Sequence, residues 1–108
     1  MTTPRSTTDA RFTFDVLRAD RPVLVDFHAD WCRSCQVLEP VLEELAEEWG
    51  DRVRIMKLDV EANPHTADRY GIKGIPTLIL FDGGIEQERL VNVVRRKAIE
   101  ERLGITIP

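Results

Sequence analysis

The 108-residue sequence predicts an α/β fold, a central mixed β-sheet of about 4–5 strands flanked by about four helices. Three observations lead there. Short apolar runs alternate with segments of helical period along the whole chain. The first run, Val23-Leu24-Val25-Asp26-Phe27, is nearly continuous, as in a parallel strand covered on both faces. Asp82-Gly83-Gly84 then marks a hairpin, which makes the last strand pair antiparallel.

Met1–Thr8 carry no apolar pattern and read as a loose tail or a weak edge strand. Asp9–Ala19 places Phe12, Val16 and Ala19 at helical spacing, with Thr8 or Asp9 as its N-cap. The strand after Pro22 holds one polar residue, Asp26. Ser34–Trp49 is the longest helix, with an apolar stripe of Val37, Leu38, Val41, Leu42, Leu45 and Trp49. Pro40 is expected to kink it and Gly50 to end it. Glu39, Glu43, Glu44, Glu47 and Glu48 read as its solvated face. Val53–Val60 is a second strand with Lys57 embedded in it. Asn63-Pro64 offers a cap and a first-turn proline for a short helix through Tyr70, stopped by Gly71. Thr77–Phe81 and Ile85–Val91 make the hairpin, and Arg95–Leu103 a final helix before Gly104. No repeat, linker or low-complexity segment interrupts this order, so residues 1–108 read as a single domain. A chain of this length buries very roughly two-thirds of its unfolded surface, enough for a core without staples.

The charge count is 15 basic against 19 acidic residues, a net of −4, which argues against a nucleic-acid binder. With 31% charged and 43% hydrophobic residues the chain reads as globular rather than disordered. No stretch approaches the roughly 18 apolar residues of a membrane span. The polar N-terminus has no apolar h-region, so no secretory signal and a cytoplasmic location are expected.

Cys32 and Cys35 are the two cysteines. Two cysteines placed at random on this chain fall three apart about once in 55 trials, and two cannot build a disulfide framework. A close pair in such a chain points to redox chemistry or to a metal. A four-ligand metal site would need Cys32, Cys35, His28 and His65 together, without the usual second pair a few residues apart. For redox work the thiolate is the attacking species. Cys32 falls where a buried strand gives way to a long helix, and free amides there favour negative charge. It is expected to be the exposed attacker, and Cys35, one turn further in, the resolving thiol. A carboxyl in an apolar strand should have a raised pKa, so Asp26 is placed to take the Cys35 proton. Lys57 in the next strand is its natural electrostatic partner. Pro76 on spacing alone reads as an ordinary strand-start proline, and the trans form is the default.

The segment Val25-Asp26-Phe27-His28-Ala29-Asp30-Trp31-Cys32-Arg33-Ser34-Cys35 resembles the active-site region of thioredoxins. Tyr70-Gly71-Ile72-Lys73-Gly74-Ile75-Pro76-Thr77-Leu78 resembles a second signature of that family, and the resemblance runs from about Asp9 to Leu103. It implies the thioredoxin fold and a protein disulfide reductase with no bound cofactor. It also implies disulfide-containing protein substrates and an NADPH-linked thioredoxin reductase as electron donor. A monomer is expected. By the same resemblance Cys32 attacks, Cys35 resolves, and Asp26 and Lys57 form the proton-transfer pair. Pro76 matches a cis-proline facing the disulfide, and Ile75 would offer its backbone to an extended substrate. Trp31, Val60, Gly74, Val91, Asn92 and Val93 match the rim of the substrate groove.

The chain departs from the family pattern in several places. Arg33-Ser34 replaces Gly-Pro between the cysteines, His28 stands where tryptophan is usual, and Asn92 replaces a glycine. Arg33, Ser34 and His28 are therefore the residues expected to tune the redox poise. Arg95-Arg96-Lys97 opens the last helix with cations that oppose its dipole. The competing reading is a client-binding or metal-binding module of the same fold with weak redox turnover.

Overall fold

The computed structural model describes residues 3–104, so residues 1 and 2 of the expected N-terminal tail lie outside the described residues. Five strands form one sheet: β1 (Arg5–Ser6), β2 (Val23–His28), β3 (Arg54–Asp59), β4 (Thr77–Asp82) and β5 (Ile85–Val91). Their order is β1-β3-β2-β4-β5. The first three neighbours run parallel, whereas β4 is antiparallel to β2, and β5 to β4. Three α-helices, α1 (Arg33–Trp49), α2 (Pro64–Arg69) and α3 (Arg96–Leu103), join a π-helical segment at Thr13–Leu17. Among the described residues no helix is long and apolar enough to cross a membrane.

Period-two alternation divides the core between the two sheet faces. Leu24, Ile55, Leu78 and Leu90 meet Leu38, Leu42, Leu45 and Trp49 of α1 and Ile99 of α3. Val23, Val25, Phe27, Met56, Leu58, Ile79 and Phe81 point the other way, onto Phe12 and Val16. Tyr70, Phe12 and Phe81 close that second layer with ring centroids 5.2–5.7 Å apart. Asp26 lies two residues after Leu24, and Lys57 two after Ile55. Both therefore belong to the α1 side of the sheet, and they are paired in the β2–β3 register.

Gly83 and Gly84 have φ of 62° and 81°, the left-handed backbone a two-residue hairpin needs. A Cβ on Gly84 would lie 2.9 Å from the Leu17 carbonyl oxygen, so close approach excludes a side chain there as well. Helix α1 runs unbroken through Pro40 and stops at Gly50, whose N–H donates to the Ala46 carbonyl at 3.0 Å. Its stripe is narrower than expected at one end: Val37 is exposed, while Ala46 is buried. The basic start of α3 is offset by the acidic face of α1. Arg96 pairs with Glu44 at 3.1 Å and also with Glu48, so that face is partly engaged rather than wholly solvated.

The caps near the N-terminus differ from expectation. The expected helix Asp9–Ala19 shortens to Thr13–Leu17, and of its two expected caps Thr8 serves the turn before it, its hydroxyl accepting the Arg11 N–H at 3.2 Å. The Asp9 carboxylate instead accepts the His65 and Thr66 amides at 3.1 and 2.8 Å, capping α2 across the chain. Asn63, the expected cap of α2, turns back: its amide donates to the Asp59 carbonyl and its oxygen accepts the Asp9 N–H. Burial opposes ionisation of Asp9, but the Thr66 and His65 hydrogen bonds outweigh it and hold its carboxyl below the usual range.

Loss of a helix cap costs about 0.5–2 kcal/mol. Asp9→Ala should therefore lower the thermal midpoint by about 4–8 °C for each kcal/mol lost. Calorimetry on the purified variant checks this, and an unchanged midpoint would show that the two amides find equivalent partners in water.

Candidate active site

Strand β2 ends at His28 and α1 begins at Arg33, so the sulfur chemistry sits at a strand-to-helix turn. Cys32 and Cys35 are joined in a disulfide, with their Cα atoms 5.2 Å apart. Cys32 is the N-cap of α1. Its Sγ accepts the Cys35 N–H at 3.2 Å, and the Ser34 hydroxyl lies 3.5 Å from the same sulfur. First-turn donors are thus aimed at Cys32, where they would stabilise a thiolate once the disulfide opens. The expected difference in depth is absent, since Cys32 is 5% and Cys35 3% exposed. Hydrogen bonding, not exposure, distinguishes the two sulfurs. Arg33 is exposed beside them.

Beneath Cys35 an open cavity of about 380 Å³ brings together Asp26, His28, Cys35, Glu39 and Lys57. Asp26 is fully buried, and neither of its carboxyl oxygens has a hydrogen-bond partner. Burial pushes its pKa up to about 7; Lys57 works against this rise and Glu39 adds to it. The Lys57 ammonium does not reach Asp26. It donates to Glu39 Oε1 at 3.1 Å, so the expected Asp26–Lys57 pairing is a through-space interaction and not a hydrogen-bonded one. Burial and the Lys57 charge hold the His28 imidazole below its usual range, so it is uncharged at neutral pH. His28 therefore brings no cation to the sulfurs there.

Two of the expected groove residues lie against the disulfide. Val60 and Ile75 pack against Ala29, Cys32 and Cys35. The Ile75–Pro76 bond is cis, as the resemblance implies and against the default for the dipeptide. The Pro76 carbonyl accepts the Asn92 N–H at 2.8 Å, and Asn92 adopts a left-handed φ of 59°. That conformation is one asparagine tolerates better than most side chains, which explains how it replaces a glycine. A Cβ at Gly74 would lie 3.2 Å from Val91 Cγ1. Trp31 is 66% exposed, and its indole N–H donates to Glu61 at 2.8 Å. Val91 is exposed, whereas Val93 is partly buried against the core that α1 and α3 cover.

Sequence reasoning missed Glu39 and Glu61. The signal for Glu39 was its position four residues after Cys35, on the same helix face. His65 takes no part in the site; its backbone is held by Asp9 at the start of α2. Among the described residues no group of three His, Cys, Asp or Glu side chains is placed to hold a metal ion.

Comparison with known proteins agrees with this geometry. The family model described as Thioredoxin matches residues 3–104. A thioredoxin of Alicyclobacillus acidocaldarius is 46% identical over 97 residues, covering 90% of this chain and 91% of the relative. One of Mycobacterium bovis is 45% identical over 101 residues, 94% of this chain and 87% of the relative. A bifunctional thioredoxin reductase/thioredoxin of Mycobacterium leprae is 44% identical over 101 residues, 94% of this chain but 22% of that protein.

The buried carboxyl generates a pH prediction. Asp26 titrates near its reference value of 3.8 when unfolded and at about 7 when folded. Across that window the folded protein holds a proton that the unfolded chain has lost, so stability falls as pH rises and levels off above about 7. Asp26→Asn should remove that slope. It should be more stable than the parent by up to about 4 kcal/mol above neutral pH, at about 1.4 kcal/mol per tenfold in acidity. Denaturant melts at a series of pH values check this, and parallel stability curves would mean the carboxyl is solvated.

The motif generates a second. Arg33 and the Ser34 hydroxyl both favour the Cys32 thiolate, the charged and reduced form. The Arg33→Gly, Ser34→Pro double variant should have a reduction potential lower by roughly 10–20 mV, since solvent screens Arg33. Equilibration with a reference dithiol checks this; an equal or higher potential refutes it.

Proposed function

This chain belongs to the thioredoxin family and is a protein thiol–disulfide oxidoreductase, and from that premise we propose how its residues divide the work. Cys32 attacks. Its thiolate adds to one sulfur of a substrate disulfide, whose other sulfur leaves as a thiolate and takes a proton. A Cys32–substrate mixed disulfide results. The Cys35 thiol then gives its proton to the Asp26 carboxylate, and its sulfur attacks Cys32 Sγ. The Cys32–substrate bond breaks, the substrate's second sulfur leaves reduced, and the Cys32–Cys35 disulfide closes. Two electrons pass from the dithiol to the substrate. The observation that carries this reading is the convergence of the Cys35 and Ser34 donors on the Cys32 sulfur, with Asp26 on the cavity beneath Cys35.

The groove between Trp31, Val60, Gly74, Ile75 and Pro76 would take an extended stretch of substrate, with Ile75 lending backbone hydrogen bonds and Val91 and Asn92 forming the far rim. An NADPH-linked thioredoxin reductase returns electrons to the disulfide. The Mycobacterium leprae relative, named for both activities, supports that pairing. The protein works as a monomeric electron carrier in the cytoplasm, where such a donor keeps thiols reduced.

Cys35→Ser should accumulate a mixed disulfide with substrate through Cys32, whereas Cys32→Ser should trap none. Non-reducing mass spectrometry after mixing with oxidised insulin reads both, and equal trapping by the two variants would reverse the assignment. Insulin reduction coupled to a thioredoxin reductase and NADPH tests the donor. Turnover with dithiothreitol alone would point to another donor.

A further inference from the structure

Asp26 and Lys57 are register partners on adjacent strands, yet they make no hydrogen bond. The reason lies on α1. Glu39 follows Cys35 by one helical turn, overhangs the same cavity and accepts the Lys57 ammonium at 3.1 Å. Lys57 is thereby committed to the outer wall of the cavity, with 22% of its side chain exposed against 49% for Glu39. We propose that Glu39 is a positioning residue that holds the Lys57 ammonium out of hydrogen-bond reach of Asp26 and so sets the pH at which Asp26 ionises.

Two effects act in the same direction. The Glu39 carboxylate opposes a second negative charge in the cavity, and by engaging Lys57 it weakens the cation that favours ionised Asp26. The other groups facing Asp26 do not take over this role. His28, on β2, is uncharged at neutral pH. Asp30, at the cavity's edge, carries the wrong sign to favour ionisation. Cys35, on α1, is the proton's source in the reduced protein. From β4 the register partner is Leu78, which is uncharged.

The consequence for the reaction rests on the reading of Asp26 as the base for Cys35. With Glu39 in place Asp26 keeps its proton to near neutral pH, so it can return that proton to Cys35 when a reductase opens the disulfide. Without Glu39, Lys57 is released toward Asp26. Asp26 would then ionise at lower pH, and the Cys35 thiol would find its base ready under more acidic conditions.

The test uses Glu39→Gln, which removes the charge but can still accept from Lys57, and Glu39→Ala, which removes both. Alanine is the strongest helix former and Glu39 is exposed, so both variants should fold. Carbonyl-carbon NMR titration of the disulfide form, in which neither cysteine titrates, reads Asp26 directly. Its midpoint should fall by about 0.5–1 pH unit, more for Ala than for Gln. The rate of substrate release from a preformed mixed disulfide, followed against pH, should shift its acid limb by the same amount. An Asp26 midpoint unmoved in both variants overturns the proposal. A midpoint that falls while the rate limb stays fixed supports the hold of Glu39 on Asp26 and overturns the assignment of Asp26 as base.

Discussion

One uncompensated carboxyl governs this molecule. Asp26 occupies the middle of a strand whose neighbours Val23, Leu24, Val25 and Phe27 are fully buried. Burying an unpaired charge is so costly that the group stays neutral instead. The strand can keep its place in the sheet because Asp26 holds its proton up to about pH 7. Everything around it fits that constraint: the alternation that turns it toward α1, the cavity that lets a proton reach it, and the nearby cation held on the far wall. A domain of this size has a total stability of only about 5–15 kcal/mol. A group whose ionisation costs several of those is retained against the interest of the fold, the pattern that proposes it for the chemistry of the neighbouring sulfurs.

The two sulfurs depend on a different piece of backbone physics. A helix has unpaired amides in its first turn, and a cap must satisfy them. Here the cap is a sulfur, so the local demand of the helix and the demand of the chemistry coincide. The donors that charge on Cys32 would meet are already aimed at its sulfur in the disulfide state. Cys35 lies one turn inside, close to Asp26, and meets a carboxyl instead of amides. The two sulfurs differ in their surroundings, one facing donors and the other a cavity with a buried carboxyl. Their burial is nearly equal, so solvent access alone does not distinguish them.

Much of this was legible in the residues. Period-two alternation, the Asp82-Gly83-Gly84 turn and the Gly50 stop located the strands and the long helix, because each reflects a local rule. The cysteine spacing and the lone Asp26 exposed the chemistry for the same reason. What the sequence hid was long-range. Asp9 looks like a cap for the segment that follows it, but its carboxylate serves α2, more than fifty residues away. Arg96 looks misplaced at the start of α3 until Glu44 and Glu48 of α1 come beside it. Val93 matches a groove position by resemblance, and its side chain is partly buried against the core of α1 and α3.

Lys57 is the instructive case. Strand neighbours facing the same side should pair, and the β2–β3 register does place Asp26 opposite Lys57. A lysine stem, however, is long enough to carry its ammonium past a buried carboxyl to a better hydrated one. Glu39, half exposed, keeps its charge at little cost, whereas Asp26 would have to be ionised in an apolar wall to compete. The ammonium therefore settles on the carboxylate that is already charged. The outcome leaves Asp26 unpaired in the disulfide state, holding its proton up to about pH 7 on the cavity it shares with Cys35. A direct Asp26–Lys57 ion pair would have made the strand pair more conventional and the carboxyl a weaker proton acceptor.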